Sequence, residues 1–130
     1  MMETELMIGN YVLYNPQEDE FSKEYLREPY PIKIETIDDL TKNGIHPLLI
    51  VSDILIKNDF KKSENMDAWI WKNSDFSEFL IISFAKDLDK EYVCSVQICS
   101  KTQLLRLQLD YIHQLQQAMK ISRIEKEIVI

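Results

Sequence analysis

The chain has 130 residues, of which 45% are hydrophobic and 28% are charged, a balance typical of one globular domain spanning residues 1–130. Its formal net charge is −7, and no basic cluster is present, which argues against general binding to DNA or RNA. Its apolar runs are far too short to cross a bilayer and no signal peptide is visible, so the sequence predicts a cytoplasmic protein without membrane insertion.

Strand-forming segments occur in both halves of the chain. Two are predicted in the first half, at Ile8–Asn15 and Ile32–Glu35, where β-branched and aromatic residues are frequent. Three more follow at Met66–Lys72, Glu78–Phe84 and Lys90–Ile98, separated by short polar segments with turn-forming residues. Short turns between consecutive strands favour an antiparallel meander.

Two short helices are predicted between these strands. Thr36 can cap the first, and acidic residues follow it in the first turn. The second is expected to be capped by Ser52-Asp53 and to run through Asn58. Either Asn58 or Asp59 must then adopt the left-handed conformation, because Asn and Asp tolerate it best after Gly.

The last element is predicted to be a long helix from Ser100 to about Lys120. Ser100 and Gln103 have the spacing of a capping box. The apolar residues that fall on one helical stripe are Leu104, Leu105, Ile112, Leu115 and Met119. The expected fold is therefore α+β, in which an antiparallel sheet of about five strands packs on a long C-terminal helix, with two short helices beside it.

The two ends of the chain together resemble a known family. The chain reads Glu5-Leu6-Met7-Ile8-Gly9-Asn10-Tyr11-Val12 near its start and Tyr111-Ile112-His113-Gln114-Leu115-Gln116 near its end. With the segment from Leu49 to Phe60, these blocks resemble a family of small proteins from gut anaerobes, phages and mobile elements, which have an ELRIGN-type first strand and a YVHQLQN-type last helix. The resemblance implies a mobile-element origin and a small barrel-like N-terminal unit, but the family has no activity that could be carried over.

The signatures of common enzyme classes and metal sites are missing from the sequence. Two glycines in the whole chain exclude a phosphate-binding loop and a dinucleotide fingerprint. His46 and His113 lie in different elements, and Cys94 and Cys99 are too few for a zinc site and roughly 16 Å apart along one strand. We therefore expect no cofactor, no bound metal and two free thiols.

His113 is the main candidate for chemistry in this chain. Asp110 precedes it by three residues and Gln117 follows it by four, and both spacings bring side chains together on a helix. Asp110 could thus orient the imidazole as a base, although a half-buried structural histidine is the favoured interpretation. Gln114 could fix the helix against backbone groups or contribute to an exposed amide surface.

Trp69 and Trp71 are the second candidate binding residues. They share one face of a predicted strand, because alternate residues of a strand point the same way. They form either an exposed contact platform or part of the core, and the core is favoured because large aromatic side chains are usually buried there.

Three functions are left open by the sequence. The leading hypothesis is a non-enzymatic accessory or protein-interaction domain with a protein partner. The second is an acidic inhibitor of a nucleic-acid-handling protein, which would present the carboxylates of Glu18–Glu28 in a row. The third is a small enzyme or ligand-binding domain that uses His113.

Overall fold

The computed structural model of the chain describes residues 6–19, 22–24, 26–64, 67–86, 92–101 and 103–130. These residues form an α+β protein with a three-stranded and a five-stranded antiparallel sheet and three α-helices, which confirms the predicted class. They group into two compact units. The first unit contains the described residues up to Leu49, with Tyr111–Gln114 and Ile130, and the second contains those of Ile50–Asp110 and Leu115–Val129.

The sheet of the first unit has three short strands. They are β1 (Tyr11–Tyr14), β2 (Tyr30–Lys33) and β3 (Ile45–Pro47), in the order β2-β1-β3 with antiparallel pairing throughout. Val12 and Tyr14 are buried and alternate with half-buried neighbours, as expected for a strand with one covered face. The two predicted N-terminal strands are therefore confirmed with different limits, since β1 is shorter than Ile8–Asn15 and β2 lies two residues before Ile32–Glu35.

Two local features fix the connections between these strands. A single 3₁₀ turn at Pro16–Glu18 follows β1, and helix α1 (Ile37–Leu40) follows β2. Thr36 and Asp39 form a complete capping box at the start of α1, as predicted for the Thr36 cap. Gly44 has φ +83°, and a Cβ at this position would lie 2.3 Å from the Asn15 carbonyl oxygen, so only glycine fits here.

The sheet of the second unit is a five-stranded meander in the order β4-β5-β6-β7-β8, with all neighbours antiparallel. The three central strands agree with the predicted meander. The strands are β4 (Lys61–Lys62), β5 (Ala68–Lys72), β6 (Phe79–Lys86), β7 (Tyr92–Cys99) and β8 (Leu104–Gln108).

The prediction of a long C-terminal helix is wrong. Helix α3 begins at Ile112 and ends at Ile121, a length of ten residues, and the preceding segment forms β8. Half-buried Leu105 and Leu107 alternate with exposed neighbours there, which is the period of a strand. The Ser100 amide donates to the Gln103 carbonyl at 2.9 Å, so the Ser-x-x-Gln sequence belongs to the β7–β8 hairpin rather than to a helix cap. In the described part of the chain, no helix is long and apolar enough to cross a membrane.

Helix α2 (Ser52–Lys57) ends in a Schellman motif. The Phe60 amide donates to the Leu55 carbonyl at 3.0 Å, and the Asp59 amide donates to the Ile56 carbonyl at 3.2 Å. Asp59 adopts φ 68°, which confirms that one of the two predicted residues takes the left-handed conformation. The N-cap residue is Val51 rather than Ser52, so the start of this helix lies one residue earlier than predicted.

One face of the five-stranded sheet, here called the core face, supplies much of the core of the second unit. Its fully buried side chains are Leu80, Ile82, Val96 and Ile98, which pair across β6 and β7. Buried side chains of α3, including Leu115 and Met119, belong to the same unit. Apolar burial of this kind is the main stabilising contribution to folding, at about 25 cal/mol per Å² removed from water.

Candidate functional site

The opposite face of the five-stranded sheet, here called the open face, is a candidate binding surface. Residues paired across an antiparallel ladder project from the same face, so the strand register assigns three rows to it. The rows are Lys61, Ile70, Ile81, Gln97 and Arg106; Lys72, Phe79, Cys99 and Leu104; and Ala68, Ser83, Ser95 and Gln108. The first row is apolar in its centre and polar or basic at its ends, and the second row is basic at Lys72 and apolar at Phe79 and Leu104.

The apolar centre of the open face is accessible to solvent. Ile70, Phe79 and Ile81 are half-buried, and Leu104, on the edge strand β8, is 57% exposed. In β6 and β7, by contrast, the core-face residues Leu80, Ile82 and Val96 have no exposed surface. An antiparallel sheet commonly has one covered and one solvated face, and the solvated face then carries mostly polar residues. The open face departs from this pattern in its two apolar rows, and exposed apolar patches are typical of interaction sites.

The charge of the open face is opposite to that of the whole chain. Lys61, Lys72 and Arg106 project from it, and none of its described strand residues is acidic. The Lys72 ammonium group also lies 5.6 Å from the centroid of the Phe76 ring. Since the chain carries a net charge of −7, this face is a basic and apolar region on an acidic protein.

Sequence reasoning missed the open face. A signal was present in β6, where Phe79-Leu80-Ile81-Ile82 is a continuous apolar run rather than an alternating one. Such a run is typical of a strand that is apolar on both faces. The assignment of Leu104 to a helical stripe hid the remaining part of this surface.

Trp69 and Trp71, the second pair of candidate binding residues, lie on the core face. Trp69 pairs with Ile82 and Trp71 pairs with Leu80, both of which are fully buried. The tryptophan side chains are half-buried, and the Lys126 ammonium group lies 5.0 Å from the centroid of the Trp71 ring. The tryptophan pair therefore occupies the position expected for core residues and takes no part in the open face.

His113 lies in the interior of the protein, with 3% of its surface exposed. Its ring stacks on that of Tyr111, with a centroid separation of 5.7 Å and an interplanar angle of 11°. The Gln114 side chain accepts a hydrogen bond from the Tyr111 amide at 3.3 Å, which holds the start of α3 in the manner of a capping residue. This environment agrees with a structural role for His113 and for Gln114.

Asp110 and Gln117, the two other residues of the predicted histidine site, belong to the second unit. Tyr111, His113 and Gln114 belong to the first. Asp110 is exposed, and its carbonyl accepts a hydrogen bond from the Ile50 amide at 2.9 Å. Gln117 is a half-buried residue of α3.

Burial, and to a smaller extent the charge of Asp110, raise the pKa of the Cys94 thiol to about 11.

The acidic stretch after β1 is engaged in contacts within the chain. Glu18, Asp19 and Glu24 all bind other side chains, and Asp19 is itself buried. Their partners are His46 for Glu18, Tyr14 at 2.7 Å for Asp19, and Tyr30 at 2.6 Å for Glu24. Of the two other glutamates in the predicted stretch, Glu28 is exposed and Glu20 lies outside the described residues. A row of carboxylates directed at a basic partner has little support in this arrangement.

Within the described ranges, no group of three or more His, Cys, Asp or Glu residues could hold a metal ion. The two cysteines are free and lie on opposite faces of β7, Cys94 on the core face and Cys99 on the open face. These residues thus define no metal centre between them.

No family model, curated protein or solved structure matches the chain. The resemblance to the family from gut anaerobes, phages and mobile elements therefore stays a prediction, as do the cytoplasmic location and the mobile-element origin.

Proposed function

We propose that the chain is a non-enzymatic protein-interaction domain and that its docking surface is the open face. One observation carries this proposal: apolar side chains are accessible across the centre of a sheet face whose only charges, among its described strand residues, are positive. The partner expected from this pattern is a protein surface with an apolar centre and carboxylates around it.

The apolar centre would supply most of the binding free energy. Full burial of one aliphatic side chain such as that of Leu104 contributes about 1.5–3 kcal/mol relative to its exposed state. This corresponds to roughly a 10- to 150-fold change in the dissociation constant. The charges of Lys61 and Arg106 would mainly steer the approach of an acidic partner and select against basic ones.

A protein partner is favoured over a nucleic acid for two reasons. Single-stranded nucleic acids bind to faces on which several aromatic side chains stack with bases, and the described open face has one aromatic residue, Phe79. The net charge of −7 also opposes the accumulation of phosphates near the protein. The stacking argument does not apply to an acidic and apolar protein surface, and such a surface carries far fewer negative charges than the phosphate backbone of a nucleic acid.

The test is a capture experiment in a lysate of the source cell, treated with nuclease. The tagged chain is compared with L104E and R106E on the open face and with I56E as a matched control, because Ile56 is an exposed aliphatic residue of α2, 58% exposed, in the same unit. We expect one protein to be retained at equal amounts by the original chain and I56E, and at least about tenfold less by each open-face variant.

Circular dichroism and thermal melting of all three variants show whether they fold. Leu104 and Arg106 are exposed, so their substitution should change the free energy of unfolding by about 0.5 kcal/mol or less. Retention of every captured protein by L104E and R106E, or loss of the captured material after nuclease treatment, would overturn the proposal.

A further inference from the structure

A polar cavity lies at one end of the five-stranded sheet, within the second unit. Its volume is about 360 Å³, which falls within the range of small-molecule sites in proteins. It is lined by the β5–β6 turn, the β7–β8 turn and the residues that follow α3. The residues that line this cavity are not part of the open face proposed as the docking surface.

The negative charges of the cavity come from the β5–β6 turn and are held in place. Asp75 accepts hydrogen bonds from the Ser77 hydroxyl and, at 3.0 Å, from the Ser77 amide. Glu78 accepts a hydrogen bond from the Asn73 side-chain amide at 3.0 Å. The hydrogen bonds from Ser77 lower the pKa of Asp75, so its carboxylate is ionised at neutral pH.

The positive charges come from the two other segments. Lys101 lies in the β7–β8 turn, and Arg123 follows α3. Among the described residues, neither side chain forms an ion pair, although the charge of Lys101 is close enough to contribute to the lowered pKa of Asp75. In the described part of the chain, the acidic and basic groups of the cavity therefore form no ion pairs with each other.

Ser122 provides a further polar group that a ligand could satisfy. Ser122 lines the cavity and is 6% exposed, and its buried hydroxyl oxygen has no hydrogen-bond partner among the described residues. A buried polar group without a partner is rare in folded proteins, because it has given up its hydrogen bonds to water.

Arg123 is held at the cavity in a backbone conformation that glycine prefers. The end of α3 is a Schellman motif, in which the Ile124 amide donates to the Met119 carbonyl at 2.9 Å and the Arg123 amide donates to the Lys120 carbonyl at 3.1 Å. Arg123 has φ 59° in this motif. Asp59 occupies the equivalent position after α2, with φ 68°, and does not line the cavity.

We infer that this cavity binds a small zwitterion of the free amino acid class. Its ammonium group would lie against Asp75 and Glu78, and its carboxylate would lie against Arg123 and Lys101 and accept a hydrogen bond from Ser122. A ligand with one charge would satisfy one set of groups and be repelled by the other, whereas a zwitterion matches both. This binding site is independent of the open face.

The first test is a titration of the full chain by isothermal calorimetry or by NMR. The probes are the free L-amino acids, their N-acetyl derivatives, which lack the ammonium group, the matching amines, which lack the carboxylate, and inorganic phosphate. We expect saturable binding of at least one free amino acid and at least about tenfold weaker binding of both of its single-charge analogues. Absence of saturable binding up to about 10 mM, or equal binding of phosphate or of an analogue, would overturn the inference.

The second test separates binding from folding with a matched pair of glycine variants. R123G should raise the melting temperature by a few degrees, since glycine adopts this conformation without strain, yet weaken amino acid binding at least about tenfold. D59G makes the same backbone change outside the cavity, so it should raise the melting temperature and leave binding unchanged. S122A should weaken binding as well. Unchanged affinity in R123G and S122A would contradict the assigned site.

Discussion

Asn58 provides the sharpest test of how the second unit is held together. It is 2% exposed and follows α2, and its side chain makes three hydrogen bonds. Its amide nitrogen donates to the carbonyls of Ile54 and Val129, and its amide oxygen accepts from the Val129 backbone, all at 2.7 Å. The variant N58A removes all three hydrogen bonds, including the two that join Val129 to the end of α2.

The expected loss of stability follows from these contacts. Each hydrogen bond contributes about 0.5–1.5 kcal/mol net, and Val129 is partly exposed, so water can replace part of the loss. We expect N58A to lower the free energy of unfolding by about 2–3 kcal/mol in urea titrations followed by tryptophan fluorescence. The exposed residue Asn43 supplies the control, and N43A should change the free energy by about 0.5 kcal/mol or less. A loss below about 0.5 kcal/mol for N58A would refute this reasoning.

A second substitution at the same position tests the direction of the hydrogen bonds. N58D keeps an oxygen that accepts from the Val129 amide but loses both donations, and it places a carboxylate beside two carbonyl oxygens. We expect N58D to be at least as destabilising as N58A at pH 7, because a buried negative charge beside acceptors is unfavourable. The loss of free energy of unfolding in N58D should become smaller at acidic pH, where the protonated carboxyl group can donate a hydrogen bond.

Four further predictions concern the two thiols and the start of α1. Cys99 should react with a thiol reagent in the folded protein at pH 8, while buried Cys94 reacts only on unfolding. Because burial raises the folded pKa of Cys94 from 9.0 to about 11, its contribution to stability should be constant below pH 9 and be lost as the pH rises to 11, a decline that C94A lacks. T36A should lower the free energy of unfolding by about 0.5–1 kcal/mol in urea titrations through loss of the capping box. Backbone amides lower the pKa of Asp39, so its stabilising effect should be present above about pH 4 and decrease as the pH falls further, and D39N should flatten this acidic decline in the free energy of unfolding.

The features that the sequence predicted correctly depend on neighbouring residues. Segments rich in β-branched and aromatic residues, separated by short polar turns, specify the central meander, since each hairpin is closed within a few residues of sequence. The capping box at Thr36 and the left-handed Asp59 likewise follow from side chains that act on their own backbone.

The failure at β8 has a non-local cause. Leu104 and Leu105 fit a helical stripe as well as a strand, and the Ser100 to Gln103 spacing suits a helix cap as well as a tight hairpin. Pairing with β7 decides between these alternatives, and it is a contact that periodicity within a window of residues does not contain.

The binding surfaces were hidden from the sequence for a similar reason. The tryptophan positions could be placed on one face of β5, but whether that face was covered depended on the rest of the unit. The cavity combines three segments, including Asp75, Lys101 and Arg123, which are far apart in the chain and have no common motif. Only the folded arrangement brings such residues together.

Docking of a protein partner on the open face can be observed residue by residue with methyl NMR. The chain, labelled at isoleucine and leucine methyl groups, is titrated with the purified partner from the capture experiment. We expect large shift changes or broadening at Ile70, Ile81 and Leu104, with small changes at Ile56. Unchanged signals at the three open-face residues, together with large changes at Ile56 or elsewhere, would show that the partner binds another surface.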